Sequence, residues 1–436
     1  MEKELFDLMK KRSKRDISLF LMPAHHGNFQ YDLSELNLSI DFTEDLETDN
    51  LYEKNDLLKR VHERIARVFG AKYSTTCVNG SSGALISAIF SATNPGDKIL
   101  LSRNSHISVY RAAEICRLET HYVECEFLDG VNFRVDAKKV IESINKIKPK
   151  VFTMPNPTYF GTASDIKKII DFAKKEGVIT IIDEAHGAHF RFSEHLPESA
   201  IDCGADIVVH STHKTLLGLT QTSLLHVASD FSVEKIEDAI RKFHTTSPSY
   251  LFMLGNELSA AYMEEYGRKR LEEMFYYISD FKKELSKYAM LFMADNMDFL
   301  KIPIKKFGVT SHDLMQHFYK NDIFCEMEDG NYVLLMASLF NKNIDFERVL
   351  DVVKQIPDGD DFIFPKEVHY SIPKKSVEIF ETKNKSVISI PKKDAVGRIS
   401  AEYIYPYPPG IPVIVPGEII EKEHLIYLGD IINCLV

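Results

Sequence analysis

The fold is decided by an apolar run that ends in a reactive motif, Ile207-Val208-Val209-His210-Ser211-Thr212-His213-Lys214. A second run, Val178-Ile179-Thr180-Ile181-Ile182, leads in the same way into Asp183-Glu184-Ala185-His186. Runs of β-branched residues between polar helical segments are typical of buried parallel strands. Both motifs therefore follow strand ends, and that edge of an open α/β sheet is where ligands bind.

Further βα units precede these two strands. A helix is predicted over 50–69 and ends at Gly70. Strand–helix pairs are then predicted at 73–78 and 82–92, 98–101 and 108–116, 121–125 and 137–145, and 151–154 and 166–175. This alternation predicts a mainly parallel sheet with helices on both faces. Thr222–Val227 predicts one more strand, of the antiparallel kind that mixed sheets carry.

The 436 residues suit a large domain with smaller units beside it. We expect an N-terminal segment at 1–48, a large domain at 49–290 and a C-terminal α+β domain at 291–436. The last boundary is placed where the pattern changes to short strands and amphipathic helices. A stretch rich in Lys, Ser and Pro at 365–393 predicts a surface connection. The expected fold class is α/β, with a three-layer large domain and a smaller α+β domain.

Composition narrows the function classes. The net charge of −11 disfavours general nucleic-acid binding and would attract a cationic substrate. The sequence lacks a run of 18 apolar residues and begins with the charged stretch Met1-Glu2-Lys3-Glu4, so we expect neither a membrane span nor a signal peptide. Its six cysteines are scattered without a Cys-x-x-Cys pair. This spacing predicts reduced thiols in the cytoplasm and no metal site.

The two motifs supply what pyridoxal phosphate needs from a protein. Lys214 offers an amine for a Schiff base, and Asp183 offers a carboxylate that keeps the pyridine nitrogen protonated. Ser211 and His213 can donate to the phosphate, and Ala185 is small enough for a flat ring to lie against. Alone, a lysine after a strand is usually solvated, and an aspartate there is often a helix N-cap. Their combination indicates the cofactor.

Three other segments fall at the same edge. Asn79-Gly80-Ser81-Ser82-Gly83-Ala84 follows a strand and opens a helix, which makes a phosphate cradle from backbone N–H groups and hydroxyls. His106 could lay its imidazole on the other face of the ring, although a lone histidine is usually structural. His186 and His189 are candidate supporting donors. Pro155-Asn156-Pro157-Thr158-Tyr159-Phe160-Gly161 ends the strand at 151–154.

Together these segments resemble the fold type I pyridoxal-phosphate enzymes and, among them, the ornithine/lysine/arginine decarboxylase family. The matching stretches are Asn79–Gly83, Pro157–Gly161, Asp183–Phe190, Ser211–Leu216, Ala401-Glu402, Tyr407–Pro412 and Pro416–Glu418. The stretches Asp183–His189 and Tyr407–Pro412 are specific to the family, whereas the glycine-containing loop occurs widely.

The resemblance implies a transferase-like pyridoxal-phosphate domain and a role for each matching residue. Lys214 would carry the cofactor, Asp183 would pair with the ring nitrogen and His106 would stack on the ring. The other residues placed around the cofactor are Gly80, Ser81, Ser82, Thr158, Ala185, His186, Ser211 and His213. The resemblance also implies the short form of the family and a homodimer or higher homo-oligomer with shared active sites.

The implied reaction is α-decarboxylation of a basic amino acid (arginine, lysine or ornithine) to the corresponding amine, a polyamine precursor. Glu402 is predicted to recognise the distal cation of the substrate, although a lone glutamate is more commonly a solvated surface residue. Three alternatives stay open at this point. They are an aminotransferase, in which Arg398 would bind the substrate carboxylate, an oxidative deaminase, and a non-catalytic homologue.

Overall fold

The computed structural model describes residues 11–12, 14–26, 41–45, 47–359 and 372–436. Much of the predicted N-terminal segment at 1–48 and the first part of the predicted connection at 365–393 therefore lie outside the described residues. None of the described helices is long and apolar enough to cross a membrane.

The strands are numbered in chain order. They are β1 (Ser18–Phe20), β2 (Tyr73–Cys77), β3 (Lys98–Ser102), β4 (Glu119–Val123), β5 (Glu126–Leu128), β6 (Val131–Arg134), β7 (Val151–Pro155), β8 (Ile179–Asp183), β9 (Ile207–His210), β10 (Ser223–Val227), β11 (Met290–Leu291), β12 (Lys301–Lys305), β13 (Ile323–Cys325), β14 (Met327–Glu328), β15 (Val333–Met336), β16 (Val387–Pro391) and β17 (Ile431–Leu435).

The α-helices are numbered in the same way. They are α1 (Leu57–Phe69), α2 (Gly80–Ala92), α3 (Ile107–Ile115), α4 (Ala137–Ile147), α5 (Ile166–Lys175), α6 (Thr212–Thr215), α7 (Val233–Phe243), α8 (Tyr250–Tyr262), α9 (Arg268–Leu285), α10 (Ser311–Lys320) and α11 (Asn343–Gln355). A π-helical turn, Met263–Gly267, joins α8 to α9.

The central sheet has seven strands in the order β2-β10-β9-β8-β7-β3-β4. Strands β4, β3, β7, β8 and β9 run parallel to one another. Strand β10 is antiparallel to both β9 and β2, so β2 points the same way as the other five. The predicted mainly parallel sheet is confirmed, and so is the antiparallel strand that follows Lys214.

Both faces of this sheet are covered, which makes the large unit three-layered. Along β9, Val208 packs into one hydrophobic cluster, whereas Ile207 and Val209 pack into another on the opposite face. Side chains alternate between faces along a strand, so these apolar strands must bury both sides. This packing fixes the sheet, and its register places Asp183 between Pro155 on β7 and Val209 on β9.

Helix α1 begins seven residues later than predicted, at Leu57. The Asp49 carboxylate accepts hydrogen bonds from the backbone N–H groups of Asn55, Asp56 and Leu58, at 3.0–3.2 Å. An aspartate that binds nearby backbone N–H groups favours a turn over a helix. The chain therefore forms a turn after Asp49, and the helix begins only at Leu57. The predicted end is confirmed, because Gly70 caps the helix with φ +73°.

The remaining described chain forms smaller sheets. Strands β11, β12, β15 and β14 make a four-stranded antiparallel sheet near α10 and α11, which confirms the predicted change to an α+β pattern. Strand β1 pairs in parallel with β13, so the N-terminal chain joins this region. Residues 387–391 are mostly exposed, as predicted for a surface connection, but they form the strand β16, which pairs with β17 near the C-terminus.

Candidate active site

A cavity of about 550 Å³ lies where the parallel strands end. The segments that follow β2, β3, β7, β8 and β9 all contribute to its wall, because carboxyl ends of parallel strands share one sheet edge. The predicted residues that line it are Gly80, Ser81, Ser82, His106, Thr158, Asp183, Ala185, His186, His213 and Lys214. The structure thus brings together segments more than 130 positions apart in the sequence.

Lys214 lies in the short helix α6, directly after β9. Its Nζ is 3.1 Å from Nε2 of His186. Burial lowers the pKa of Lys214, and the nearby carboxylates of Asp183 and Glu326 offset part of this effect. A lowered pKa gives more of the neutral amine, which is the form that attacks a carbonyl carbon.

Asp183 ends β8 and is buried. Burial raises the pKa of its carboxyl group, whereas the charge of Lys214 and the Ala185 N–H, 3.2 Å from Oδ1, act in the opposite direction. That N–H is its only hydrogen-bond donor among the described residues. The carboxylate therefore keeps acceptor capacity toward the cavity, which suits a cationic nitrogen there.

The next residue, Glu184, has a structural role. Its carboxylate accepts hydrogen bonds from the backbone N–H of Ala200 at 2.7 Å and from Oγ of Ser199 at 2.9 Å. It also lies 2.7 Å from Nε2 of His210. These three contacts hold Glu184 away from the cavity wall, so Asp183 is the only acid of this motif that lines the cavity.

The N-terminus of α2 forms one end of the cavity. Gly80 has φ +70°, and it opens a helix whose first backbone N–H groups lie beside the Ser81 and Ser82 side chains. Free N–H groups and the helix dipole at such an end attract anions. This arrangement fits a phosphate group.

His213 is oriented by two oxygen atoms. Its Nδ1 is 3.1 Å from the Thr222 carbonyl oxygen and 3.2 Å from Oγ of Ser211. Burial lowers the pKa of His213 to about 4, so the ring is neutral near pH 7. A carbonyl oxygen only accepts, so Nδ1 carries the proton and Nε2 is left as an acceptor. His213 lines the cavity, whereas Ser211 is buried beside it and is not among the lining residues. The role of both residues as donors to a phosphate stays a prediction.

His106 caps helix α3. Its Nδ1 accepts the Ser108 N–H at 3.2 Å and lies 2.8 Å from Oγ of Ser108. Burial, helped by the charge of Lys214, lowers the pKa of His106 to about 4. The stretch Tyr407–Pro412 approaches the same ring, since a Cβ on Gly410 would lie 3.1 Å from Nε2 of His106. A neutral, fixed imidazole therefore borders the cavity, and its predicted stacking role stays a prediction.

Thr158 is held in a closed turn after β7. Its N–H donates to the Thr162 carbonyl at 2.9 Å, and the two threonine hydroxyls are 2.7 Å apart. Gly161, in the same turn, has φ +92°, and a Cβ there would lie 2.5 Å from Cγ of Lys301. The turn therefore requires glycine to let the buried Lys301 pass beneath it.

Two predicted recognition residues lie elsewhere. Glu402 is not among the residues that line the cavity, and its carboxylate accepts from Nδ2 and the backbone N–H of Asn433, both at 3.0 Å. Its role toward the substrate stays a prediction. Arg398 is exposed and is not among the residues that line the cavity. Its position therefore does not support the aminotransferase alternative, in which it would bind the substrate carboxylate.

Sequence reasoning missed an acidic part of the cavity wall. Glu328, the last residue of β14, and Asp329, which follows it, line the cavity. Oδ1 of Asp329 accepts the N–H groups of Asn331 at 2.9 Å and Tyr332 at 2.7 Å, and burial raises its pKa. The spacing of three acids, Glu326, Glu328 and Asp329, within four residues was the available signal.

Sequence reasoning also missed a buried cation. Lys301 begins β12 and is 1% exposed, and its Nζ is 3.1 Å from Nδ1 of His186. Nothing in the sequence indicated this contact, because a lone lysine before an apolar strand is usually a surface residue.

Comparison with known proteins gives a consistent result. Residues 4–305 match the family described as Orn/Lys/Arg decarboxylase, major domain, and residues 366–432 match its C-terminal domain. The chain is 30% identical to the uncharacterised protein YaaO of Bacillus subtilis, over 99% of this chain and 95% of that one. It is 28% identical to the arginine decarboxylase of Bacillus subtilis, over 98% and 93% of the two chains.

The fold has solved counterparts. The crystal structure of the Francisella novicida lysine decarboxylase LdcF superimposes with a TM-score of 0.78 at 22% identity, and covers 95% of this chain and 74% of that one. At this identity the similarity concerns the fold, and it confirms the expected architecture.

Proposed function

Because the chain belongs to the Orn/Lys/Arg decarboxylase family, we propose that it decarboxylates a basic amino acid with pyridoxal phosphate as its cofactor. The main observation behind this proposal is that one cavity is lined both by a buried carboxyl group and by a lysine amine whose pKa is lowered. Asp183 and Lys214 supply the two groups that such a cofactor requires. Arginine is the first substrate to test, because relatives matched over 92–96% of their own length are named arginine decarboxylases.

The residues of the cavity fit the cofactor part by part. The N-terminus of α2 with Ser81 and Ser82 would bind the phosphate, and the unused acceptor capacity of Asp183 would bind the protonated ring nitrogen. Lys214 would hold the cofactor covalently. When bound, pyridoxal phosphate supplies an electron sink for the pair released as the bond to the carboxylate breaks.

The protein residues do the remaining work. Asp183 is buried, so its pairing with a positive charge is strong, and it would keep the proton on the ring nitrogen of the bound cofactor. His106 is neutral near pH 7 and can therefore border the ring without adding a positive charge. Glu328 and Asp329 place two carboxyl groups in the cavity wall. The distal cation of arginine, lysine or ornithine would pair with their ionised forms and so oppose the effect of burial, which raises the pKa of Asp329.

We also propose a homodimer with shared active sites that works in the cytoplasm, with the domains divided at 1–48, 49–290 and 291–436. Tyr407 supports the shared site, since it lines the cavity and is nevertheless 81% exposed in the single chain. A large aromatic side chain at a cavity mouth is a common contact for a second subunit. The amine product would be a polyamine precursor.

Product analysis tests the reaction. Purified protein with pyridoxal phosphate is incubated with arginine, lysine and ornithine in turn, and CO2 and the organic product are measured together. We expect one amine, formed in equal amount to CO2, from at least one of the three. Formation of a keto acid, or no product from protein that shows the cofactor's visible absorption, would contradict decarboxylation.

A further inference from the structure

Two lysines contact one histidine in this cavity wall. Nε2 of His186 is 3.1 Å from Nζ of Lys214, and Nδ1 of the same ring is 3.1 Å from Nζ of Lys301. Lys301 also lies 2.8 Å from the sulfur of Met336, and its stem packs under the Gly161 turn. The amine of Lys301 is thus held in place by Met336 and the Gly161 turn, neither of which is proposed to touch the cofactor.

The ring between the amines is neutral. Burial lowers the pKa of His186 well below its usual value, and the neighbouring positive charges act in the same direction. A neutral imidazole has one N–H and one acceptor nitrogen, and the partner of one nitrogen decides the state of the other. The state of Lys301 therefore determines what His186 offers to Lys214.

An ammonium group only donates. When Lys301 is protonated, Nδ1 of His186 must accept from it, so the proton of the ring lies on Nε2. Nε2–H then needs an acceptor at Lys214, and only the neutral amine has a lone pair. Burial lowers the pKa of Lys301 to about 8, so Lys301 is mostly protonated near pH 7.

We propose that Lys301 is a positioning residue that acts through His186: its ammonium fixes the Nε2–H tautomer and thereby holds Lys214 as a neutral amine. This rests on the proposed role of Lys214 as the cofactor-binding lysine. The same contacts give Lys214 a proton route that avoids bulk water. Lys301 gives a proton to Nδ1 while Nε2 gives its own proton to Lys214. Two protons move, the net result is the transfer of one positive charge from Lys301 to Lys214, and the ring ends as the Nδ1–H tautomer.

The surrounding charges define the pH dependence. The groups that act on the two amines and the ring are Asp183, Glu326, Asp298, His106 and His213. The three carboxylates favour charge on the amines, and both imidazoles act on His186. The positive charge of Lys214 lowers the pKa of Lys301, and because the repulsion between two charges is reciprocal, a charge on Lys301 also disfavours one on Lys214. Removing that charge should raise the pKa of Lys214.

Chemical labelling of Lys214 tests this without turnover. The full chain, freed of cofactor, is reductively methylated at a series of pH values, and modification of Lys214 is followed by peptide mass spectrometry. We expect Lys301→Met to raise the midpoint for labelling of Lys214 by about one to three pH units relative to wild type. Lys301→Arg, which keeps a permanent charge, should keep the midpoint low.

Lys282→Met is the matched control. Burial lowers the pKa of Lys282 to about 8 as well, but its Nζ donates to the carbonyls of Phe299 and Lys301 and not to His186. In the Lys282→Met variant, the pH midpoint for labelling of Lys214 should equal that of wild type. Equal midpoints for Lys301→Met and Lys282→Met would overturn the proposal.

The labelling result must not depend on misfolding of a variant or on loss of enzymatic activity. Circular dichroism verifies the fold of each variant, and Lys301→Gln replaces Lys301→Met if the latter does not fold. The midpoint needs no catalysis, so a protein without decarboxylase activity would contradict the proposed function while the midpoint still decides the role of Lys301.

Discussion

We predict that breaking one buried ion pair will destabilise the whole chain. Arg103 donates to both carboxylate oxygens of Glu418 at 2.9 Å and to the Val413 carbonyl at 2.8 Å. The side chains are 0% and 1% exposed, and the pair joins the end of β3 to the C-terminal chain. Glu418→Gln would leave the guanidinium buried without its counter-charge.

The expected loss is large because burial prevents water from replacing the lost partner. Breaking such a pair costs about 3–5 kcal/mol, a large share of the roughly 5–15 kcal/mol that stabilises a typical folded protein. The measurement is the free energy of unfolding from urea titration. Glu126→Gln is the control, because the Arg134–Glu126 pair has a similar N–O distance of 2.9 Å but is 48% and 32% exposed. It should cost less than about 1 kcal/mol.

A double variant separates the lost charge pair from lost packing. Arg103→Met with Glu418→Leu removes both charges and should be more stable than Glu418→Gln alone, since no unpaired charge remains. If Glu418→Gln costs no more than Glu126→Gln, the buried pair does not hold the C-terminal chain to the sheet.

The other predictions concern the cavity and the recognition of the substrate. Lys214→Ala should lose the cofactor adduct that borohydride fixes on the wild-type chain, and an adduct on another lysine would refute the assignment. Asp183→Asn should still bind the cofactor, as its absorption spectrum would show, while kcat falls at least about 100-fold; near-normal kcat would refute the role of the carboxylate. Asp329→Asn should raise KM for the basic amino acid at least tenfold with an unchanged cofactor spectrum, because a desolvated acid–cation pair is worth about 2–5 kcal/mol. Glu402→Gln tests the alternative site of recognition by the same assay, and an effect there alone would assign the cation to Glu402. Mixing Lys214→Ala chains with Tyr407→Ala chains should restore activity through hybrid dimers if the site is shared, and dimers that exchange without rescue would show a self-contained site.

The sequence predicted the sheet well because local burial determines its pattern. Apolar runs such as Ile207–His210 read as buried strands since both faces must be covered, and parallel strands must end at one edge. The convergence of Gly80, His106, Asp183 and Lys214 on one cavity follows from that rule alone. The start of α1 was missed because the Asp49 carboxylate competes for the backbone N–H groups that a helix would use.

The parts that could not be predicted depend on contacts between distant segments. Residues 387–391 lie in a stretch rich in Lys, Ser and Pro, and they pair as a strand with β17, whose residues are 40 to 48 positions further along the chain. Glu402 meets Asn433 in the same way. No local periodicity identifies such partners, so the sequence pattern predicts neither the strand pairing nor the contact of Glu402.

The cavity therefore combines two kinds of information. The groups proposed to touch the cofactor follow strand ends and could be read from motifs, whereas the groups that set their charge come from elsewhere in the chain. Lys301 is 115 positions from His186, and Glu418 is 315 positions from Arg103. A motif identifies an amine such as Lys214, but its protonation is determined by burial and by neighbours that the motif does not contain. Members of this family with the same motifs should thus differ in the pH at which the lysine is neutral wherever the residue at the position of Lys301 differs.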